Sequence, residues 1–152
     1  MNKLIFLTFL FISNLFAEYK VFENKKIFTI EIKNTEYKEV LINLKNELLH
    51  ESYTIVHELD LAKSTNKVAE ILKKKKVLKN GRNILVCKTS FTLEMVQENI
   101  HNITYCPLAI SIYEKDETIY ISYRKYFALK KEDIIAKKIN ANLKNLIKAS
   151  LE

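Results

Sequence analysis

The chain has almost none of the two residue types that shape tight turns and phosphate-binding loops. It contains one glycine, Gly81, and one proline, Pro107, in 152 residues. Loops that cradle nucleotide phosphates need several glycines, because their backbone must approach the phosphate closely. The scarcity of glycine therefore excludes a nucleotide-binding loop. The dipeptide Asn80–Gly81 is instead typical of a turn between two elements.

Arginine is almost as scarce, although the chain is basic. Lysine and arginine together number 25, against 18 aspartates and glutamates. Only two of these 25 residues are arginines, Arg82 and Arg124. The planar guanidinium of arginine binds phosphates and base edges through two parallel hydrogen bonds, which lysine cannot do. We therefore expect no nucleic-acid partner. The run Lys73–Lys76 is typical of a solvated helix end, and contact with an anionic membrane surface or an acidic partner is the alternative.

The first residues have the three-part pattern of a secretory signal peptide. Lys3 precedes an apolar run from Leu4 to Phe16, and Ala17 stands before a polar segment. The run is shorter than the roughly 20 apolar residues that a membrane-spanning helix needs. We expect residues 1–17 to be a signal peptide cleaved after Ala17, with export of the remainder to the periplasm. An uncleaved anchor is the alternative.

The remainder predicts one domain. The polar segment 18–26 reads as a short N-terminal arm, and residues 27–152 form a single α+β domain that ends in an amphipathic helix. Alternating or apolar runs predict five strands, and one-sided apolar stripes predict four helices between and after them. The order βαβαβαββα predicts a two-layer sandwich with a mixed five-stranded sheet and helices packed mainly on one face. The strands are expected at 27–33, 52–59, 83–88, 104–114 and 118–124, and the last helix at about 131–149.

Three segments, in this order and spacing, resemble the domain-of-unknown-function family 302. They are SYTIVHELDLAKS from Ser52, NILVCKTSFTLEMV from Asn83 and CPLAISIYEKDETIYISY from Cys106. The sequence departs from the family pattern where Lys88 follows Cys87, and where the second cysteine precedes Pro107 instead of following it. The resemblance implies a compact α+β domain and a homodimer, and it supplies no established reaction.

The two cysteines, Cys87 and Cys106, are the first candidates for chemistry. An even cysteine count in an exported chain favours a disulfide. If the strands that carry them are antiparallel, the two positions meet. If the segment between them crosses over to a parallel strand, they lie at opposite ends of the sheet, beyond the roughly 7 Å limit between bridged Cα atoms. Two buried thiols therefore remain as an alternative to the bridge.

Sulfur and imidazole groups also define a candidate site for a soft metal ion. Its candidate ligands are Cys87, Cys106 and His57, although no C-x-x-C or H-x-x-x-H spacing occurs. Cys87, Cys106, Pro107, His57 and Tyr105 form the candidate binding site. No residue pattern identifies a catalytic group or a cofactor. The sequence predicts a non-catalytic ligand-binding or accessory protein, and the alternative is a thiol-redox or soft-metal-handling protein that uses the two cysteines.

Overall fold

The computed structural model describes residues 18–127 and 134–152, and the predicted signal peptide and the start of the last predicted helix lie outside these ranges. The described chain contains six strands, four α-helices and a 3₁₀ helix. In chain order they are β1 (Glu18–Glu23), β2 (Ile27–Lys33), α1 (Tyr37–His50), β3 (Thr54–Asp60), α2 (Leu61–Ile71), β4 (Asn80–Cys87), α3 (Thr89–Glu98), the 3₁₀ helix (Ile100–Tyr105), β5 (Leu108–Lys115), β6 (Thr118–Arg124) and α4 (Ile134–Ala149).

The strands form one open sheet in the order β1-β2-β6-β5-β4-β3, and each neighbouring pair is antiparallel. The α+β class is confirmed, whereas the expectation of a mixed sheet with five strands is wrong. The sheet is antiparallel throughout because of the path that its helical connections take. The segment that holds α2 leaves β3 and returns to the same end of the sheet to begin β4, and the segment that holds α3 does the same between β4 and β5.

The additional strand is β1, in the segment that the sequence predicted to be a short N-terminal arm. Glu18–Glu23 pairs along its length with β2. The hairpin turn is fixed by Asn24, whose side-chain Oδ1 accepts hydrogen bonds from the backbone nitrogens of Lys26 (2.7 Å) and Ile27 (2.9 Å). All six residues of β1 are exposed at the sheet edge. The alternation of polar and apolar residues in β1 covers only Glu18–Val21 and ends at Phe22, so it is a weak strand signal.

The hydrophobic core lies between one face of the sheet and the helices α1, α3 and α4. Ile30, Ile112 and Ile121 occupy facing positions on adjacent strands, and all three are fully buried. The helices supply the other half of the core through Leu44, Leu48, Met95, Leu143 and Ile147. Burial of these side chains is the main favourable contribution to the free energy of folding. No helix among residues 18–127 and 134–152 is long and apolar enough to span a bilayer.

Helix α2 packs differently, because Ala62 is its one buried residue. It approaches β4 at Gly81, where an added Cβ would lie 3.5 Å from the Cβ of Ala62 and 3.2 Å from Cδ1 of Leu78. Gly81 therefore belongs to strand β4 and not to the turn that the Asn80–Gly81 dipeptide suggested. An added Cβ would meet Ala62 at ordinary van der Waals distance and would crowd only Leu78, and the φ angle of Gly81 is not positive.

Candidate functional site

The pairing of β4 with β5 brings the two cysteines together. Val86 lies opposite Leu108, so the end of β4 adjoins the residues that lead into β5. Cys87 and Cys106 form a disulfide, with their Cα atoms 6.4 Å apart. The choice between antiparallel and parallel strands is thus decided in favour of the antiparallel arrangement. Cys106 packs against the core, and its sulfur lies 3.7 Å from the hydroxyl of Thr92 in α3.

The two candidate residues beside Cys106 have structural partners. The Tyr105 hydroxyl donates a hydrogen bond to the carbonyl of Phe127, and its ring meets that of Tyr126 edge-on, with 5.6 Å between the ring centroids. Tyr126 in turn accepts a hydrogen bond from the backbone nitrogen of Ala109 at 3.0 Å. Pro107 follows a cis peptide bond at the start of β5. Neither Tyr105 nor Pro107 lines either of the two large clefts described below.

His57 does not join the cysteines in a ligand set. It lies on β3 opposite Leu85, two residues before Cys87 on the neighbouring strand, and its side chain is exposed. Within residues 18–127 and 134–152, no three His, Cys, Asp or Glu side chains lie close enough together to hold a metal ion. Both sulfurs are also bonded to each other, which leaves neither available as the thiolate that a soft metal requires.

A polar cleft that the sequence did not reveal lies at the opposite end of β4 and β5. It has a volume of about 730 Å³, and its lining includes Glu114, which is only 6% exposed. The carboxylate of Glu114 accepts a hydrogen bond from Lys79 Nζ on one oxygen and from Asn80 Nδ2 on the other, both at 2.7 Å. Its lining residues include Asn34, Thr35, Glu36, Glu39, Asn43 and Glu117. The strand register, which places Asn80 opposite Glu114, creates this arrangement.

A second cleft of about 490 Å³ adjoins the first, and Tyr37 lines both. The Tyr37 hydroxyl donates a hydrogen bond to the Ile112 carbonyl at 3.3 Å. Burial raises the pKa of Tyr37 to about 12, against the opposing effect of the Arg82 charge. Arg82 is itself held by Glu58, at 2.7 Å. The phenol thus remains neutral near physiological pH and forms a fixed wall between the clefts.

The pair formed by Glu114 and Lys79 is unsuited to proton transfer near neutral pH. Burial raises the pKa of Glu114, but hydrogen bonds from Lys79 and Asn80 outweigh burial and hold it below the ordinary value of 4.5. The hydrogen bond to Glu114 raises the pKa of Lys79 above its ordinary value of 10.5. General acid–base catalysis requires a pKa near the working pH, and these two groups move away from it. The pair can therefore organise a binding surface but is a poor acid–base couple.

Residues 28–150 match the family described as Domain of unknown function DUF302. The chain belongs to the DUF302 family. The resemblance seen in three segments of the sequence is thereby confirmed. No curated protein matches the chain.

The same architecture occurs in the crystal structure of an uncharacterized conserved DUF302 protein from Bacillus stearothermophilus. The two chains superpose with a TM-score of 0.64 over 84% of this chain and 97% of the other, at 17% sequence identity. At this level of identity the likeness shows a shared DUF302 fold and does not transfer a ligand or an activity.

Replacing Glu114 by glutamine should reduce stability in a pH-dependent manner. A carboxylate whose pKa is lowered on folding contributes stability above its unfolded pKa, and this stability is lost as the pH falls through the folded pKa. At about pH 7 we expect Glu114→Gln to cost roughly 1–3 kcal/mol, because one of the two hydrogen bonds accepted by the buried charge is lost and the other no longer has a charged acceptor. Below about pH 4 the difference from wild type should shrink.

Urea unfolding of both proteins across this pH range measures the effect. The matched control is Glu117→Gln, which removes an exposed carboxylate from the same cleft and should leave the free energy of unfolding nearly unchanged. A pH-independent difference between Glu114→Gln and wild type would show that the charge of Glu114 does not stabilise the fold.

Proposed function

We propose that this DUF302 chain is an exported, non-catalytic ligand-binding or accessory protein whose ligand occupies the clefts on either side of Tyr37. The observation that carries the proposal is the fixed polar lining around Glu114. Binding sites for small molecules are concave and largely preformed, with a few polar groups that orient the ligand. The ion pair between Glu114 and Lys79 and the neutral Tyr37 meet that description, and the directions of their pKa shifts oppose a catalytic role.

The lining indicates the chemical class of the ligand. Beside the neutralised Glu114, the first cleft presents the carboxylates of Glu36, Glu39 and Glu117. The second cleft adds the apolar side chains of Leu41 and Ile42 next to Tyr37, and its cationic residues Lys38, Lys45 and Arg82 leave the first cleft as the place for a positive charge. We therefore expect a small molecule that carries a positive charge and a short apolar part.

A thermal-shift screen of small amines against small carboxylates tests this assignment. We expect amines to raise the melting temperature, and the double variant Glu36→Gln/Glu39→Gln to weaken their binding about tenfold or more, equivalent to about 1.4 kcal/mol. The control is Glu18→Gln/Asp116→Asn, which removes the same charge from exposed sites outside the clefts. Equal weakening in the control, or stabilisation by carboxylates alone, would contradict the proposal.

Thiol–disulfide exchange is a second candidate function, favoured by the bonded sulfurs and the hydroxyl of Thr92 beside Cys106. In this role the reduced pair would attack the disulfide of a partner protein. One thiolate would form a mixed disulfide, and the second would then displace the partner as a dithiol while Cys87 and Cys106 become oxidised. In the leading proposal the same bridge is structural and closes a loop with a sequence separation of 19, worth about 3 kcal/mol.

Intact-mass measurement of native protein, acid-quenched and alkylated, distinguishes the two roles. A structural bridge predicts no alkylation until the protein is denatured and reduced. A redox role predicts a mixture of oxidised and doubly alkylated chains whose ratio follows added thiol. The same spectrum tests the proposed export, since processing after Ala17 gives a chain that begins at Glu18. Material that retains Met1 and fractionates with the cytosol would contradict export.

We also propose that two copies associate through the sheet face opposite α1, α3 and α4. There Tyr113 and Tyr120 stack with their ring centroids 5.1 Å apart, beside the cross-strand hydrogen bond between Thr29 and Ser122. Flat, rigid aromatic groups are well suited to an interface.

Sedimentation velocity should show a dimer that Tyr113→Lys dissociates. A wild-type chain that sediments as a monomer throughout the micromolar range would exclude this association.

A further inference from the structure

A basic surface lies on α2 and the segment that follows it, residues 61–79. Seven lysines occupy these residues against a single acidic residue, Glu70, and each lysine is exposed. They are Lys63, Lys67, Lys73, Lys74, Lys75, Lys76 and Lys79, of which Lys79 is paired with Glu114 and Lys76 with Glu70. We call residues 61–79 the basic surface.

The basic surface also exposes a stripe of apolar side chains. Leu61, Val68 and Leu72 follow one side of α2, with exposed fractions of 38%, 53% and 56%, and the neighbouring Ile71 is 69% exposed. Ala62 is on another side of the helix, the one that contacts β4 at Gly81. The apolar stripe is therefore not the surface that holds α2 to the sheet.

The lysine run is held beside this stripe by the backbone. Lys73 adopts a positive φ of 52° and ends the helix, and the nitrogen of Lys74 donates to the Ala69 carbonyl at 2.7 Å. The chain then turns back, and Asn66 Nδ2 donates to the Leu78 carbonyl at 2.9 Å. Lys76 contacts Glu70 on the helix at 3.2 Å. The lysines and the apolar stripe thus belong to one surface.

We propose that the basic surface docks on an anionic lipid bilayer, with the apolar stripe of α2 placed among the lipid headgroups and the lysines in contact with the lipid phosphates. A helix with one apolar stripe and flanking lysines is the pattern of an interfacial helix, in which apolar burial and attraction to anionic lipids act together. The electrostatic attraction between clustered lysines and a lipid surface is strongest where that surface has a high negative charge density.

Two features of the basic surface favour a lipid surface over a protein partner. A second copy of the chain would present the same seven lysines, and facing like charges disfavour that pairing. The surface also contains lysine and no arginine. Lysine is a flexible point charge without a fixed hydrogen-bonding fork, so it suits a fluid layer of headgroups better than a rigid bidentate site.

Co-sedimentation with vesicles tests the proposal on the chain from Glu18, which contains the whole described fold and excludes the apolar N-terminal run. We expect binding to vesicles of phosphatidylglycerol and phosphatidylcholine, and none to phosphatidylcholine alone. The charge variant Lys73→Gln/Lys74→Gln/Lys75→Gln/Lys76→Gln should bind at least about tenfold more weakly. The apolar variant Val68→Ser/Ile71→Ser/Leu72→Ser should also bind at least about tenfold more weakly, because its stripe no longer enters the headgroup layer.

The matched control removes four exposed lysines from elsewhere, as Lys20→Gln/Lys25→Gln/Lys26→Gln/Lys137→Gln. Three of them lie in the β1–β2 hairpin, at the sheet edge opposite β3, and this variant should bind as wild type does. Circular dichroism and melting curves establish that each variant is folded. The proposal is overturned by absence of binding to anionic vesicles, by equal loss in the control, or by full binding of the apolar variant. These readouts require no ligand in the clefts and do not depend on the proposed function.

Discussion

The antiparallel pairing of β4 with β5 is the constraint on which both ends of the molecule depend. One register places Val86 opposite Leu108 and Asn80 opposite Glu114. At one end it sets the two cysteines at bridging distance, and at the other it assembles the buried carboxylate with its two donors. A slip of one residue would turn every side chain of a strand to the other face, so the core, the bridge and the cleft would be lost together.

Much of the fold is present in local sequence patterns. The alternation in β2 and the stripes of α1 and α4 are read directly, because each has one buried side and one solvated side. The order of the strands in the sheet cannot be read from local patterns, because a helical connection of this length can return to the same end of the sheet or cross to the other end. The edge strand β1 escaped detection because its alternation of polar and apolar residues ends at Phe22. Gly81 was misread because its pairing opposite Tyr113 in the sheet is a tertiary contact that no dipeptide pattern encodes.

The sequence pointed to the cysteine pair and not to the cleft lined by Glu114. Composition alone identified Cys87 and Cys106, since a pair of cysteines stands out in any chain, and the structure joins them. Pro107, Tyr105 and His57 line neither of the two clefts. The cleft lined by Glu114 was missed because Glu114 and its two partners, Lys79 and Asn80, are ordinary surface residue types. Lys79 and Asn80 precede Glu114 by more than thirty residues, and only the register makes them partners.

The place of β2 in the sheet has a consequence for how the chain folds. The hydroxyls of Thr29 and Ser122 meet at 2.9 Å across the β2–β6 pair, although 93 positions separate them in sequence. The N-terminal hairpin is synthesised first, yet the strand it must join is synthesised near the end. Non-local strand pairs of this kind slow folding, because a long loop must close before the contact forms. During that interval the apolar side of β2 is without cover, and aggregation competes with folding until β6 is available.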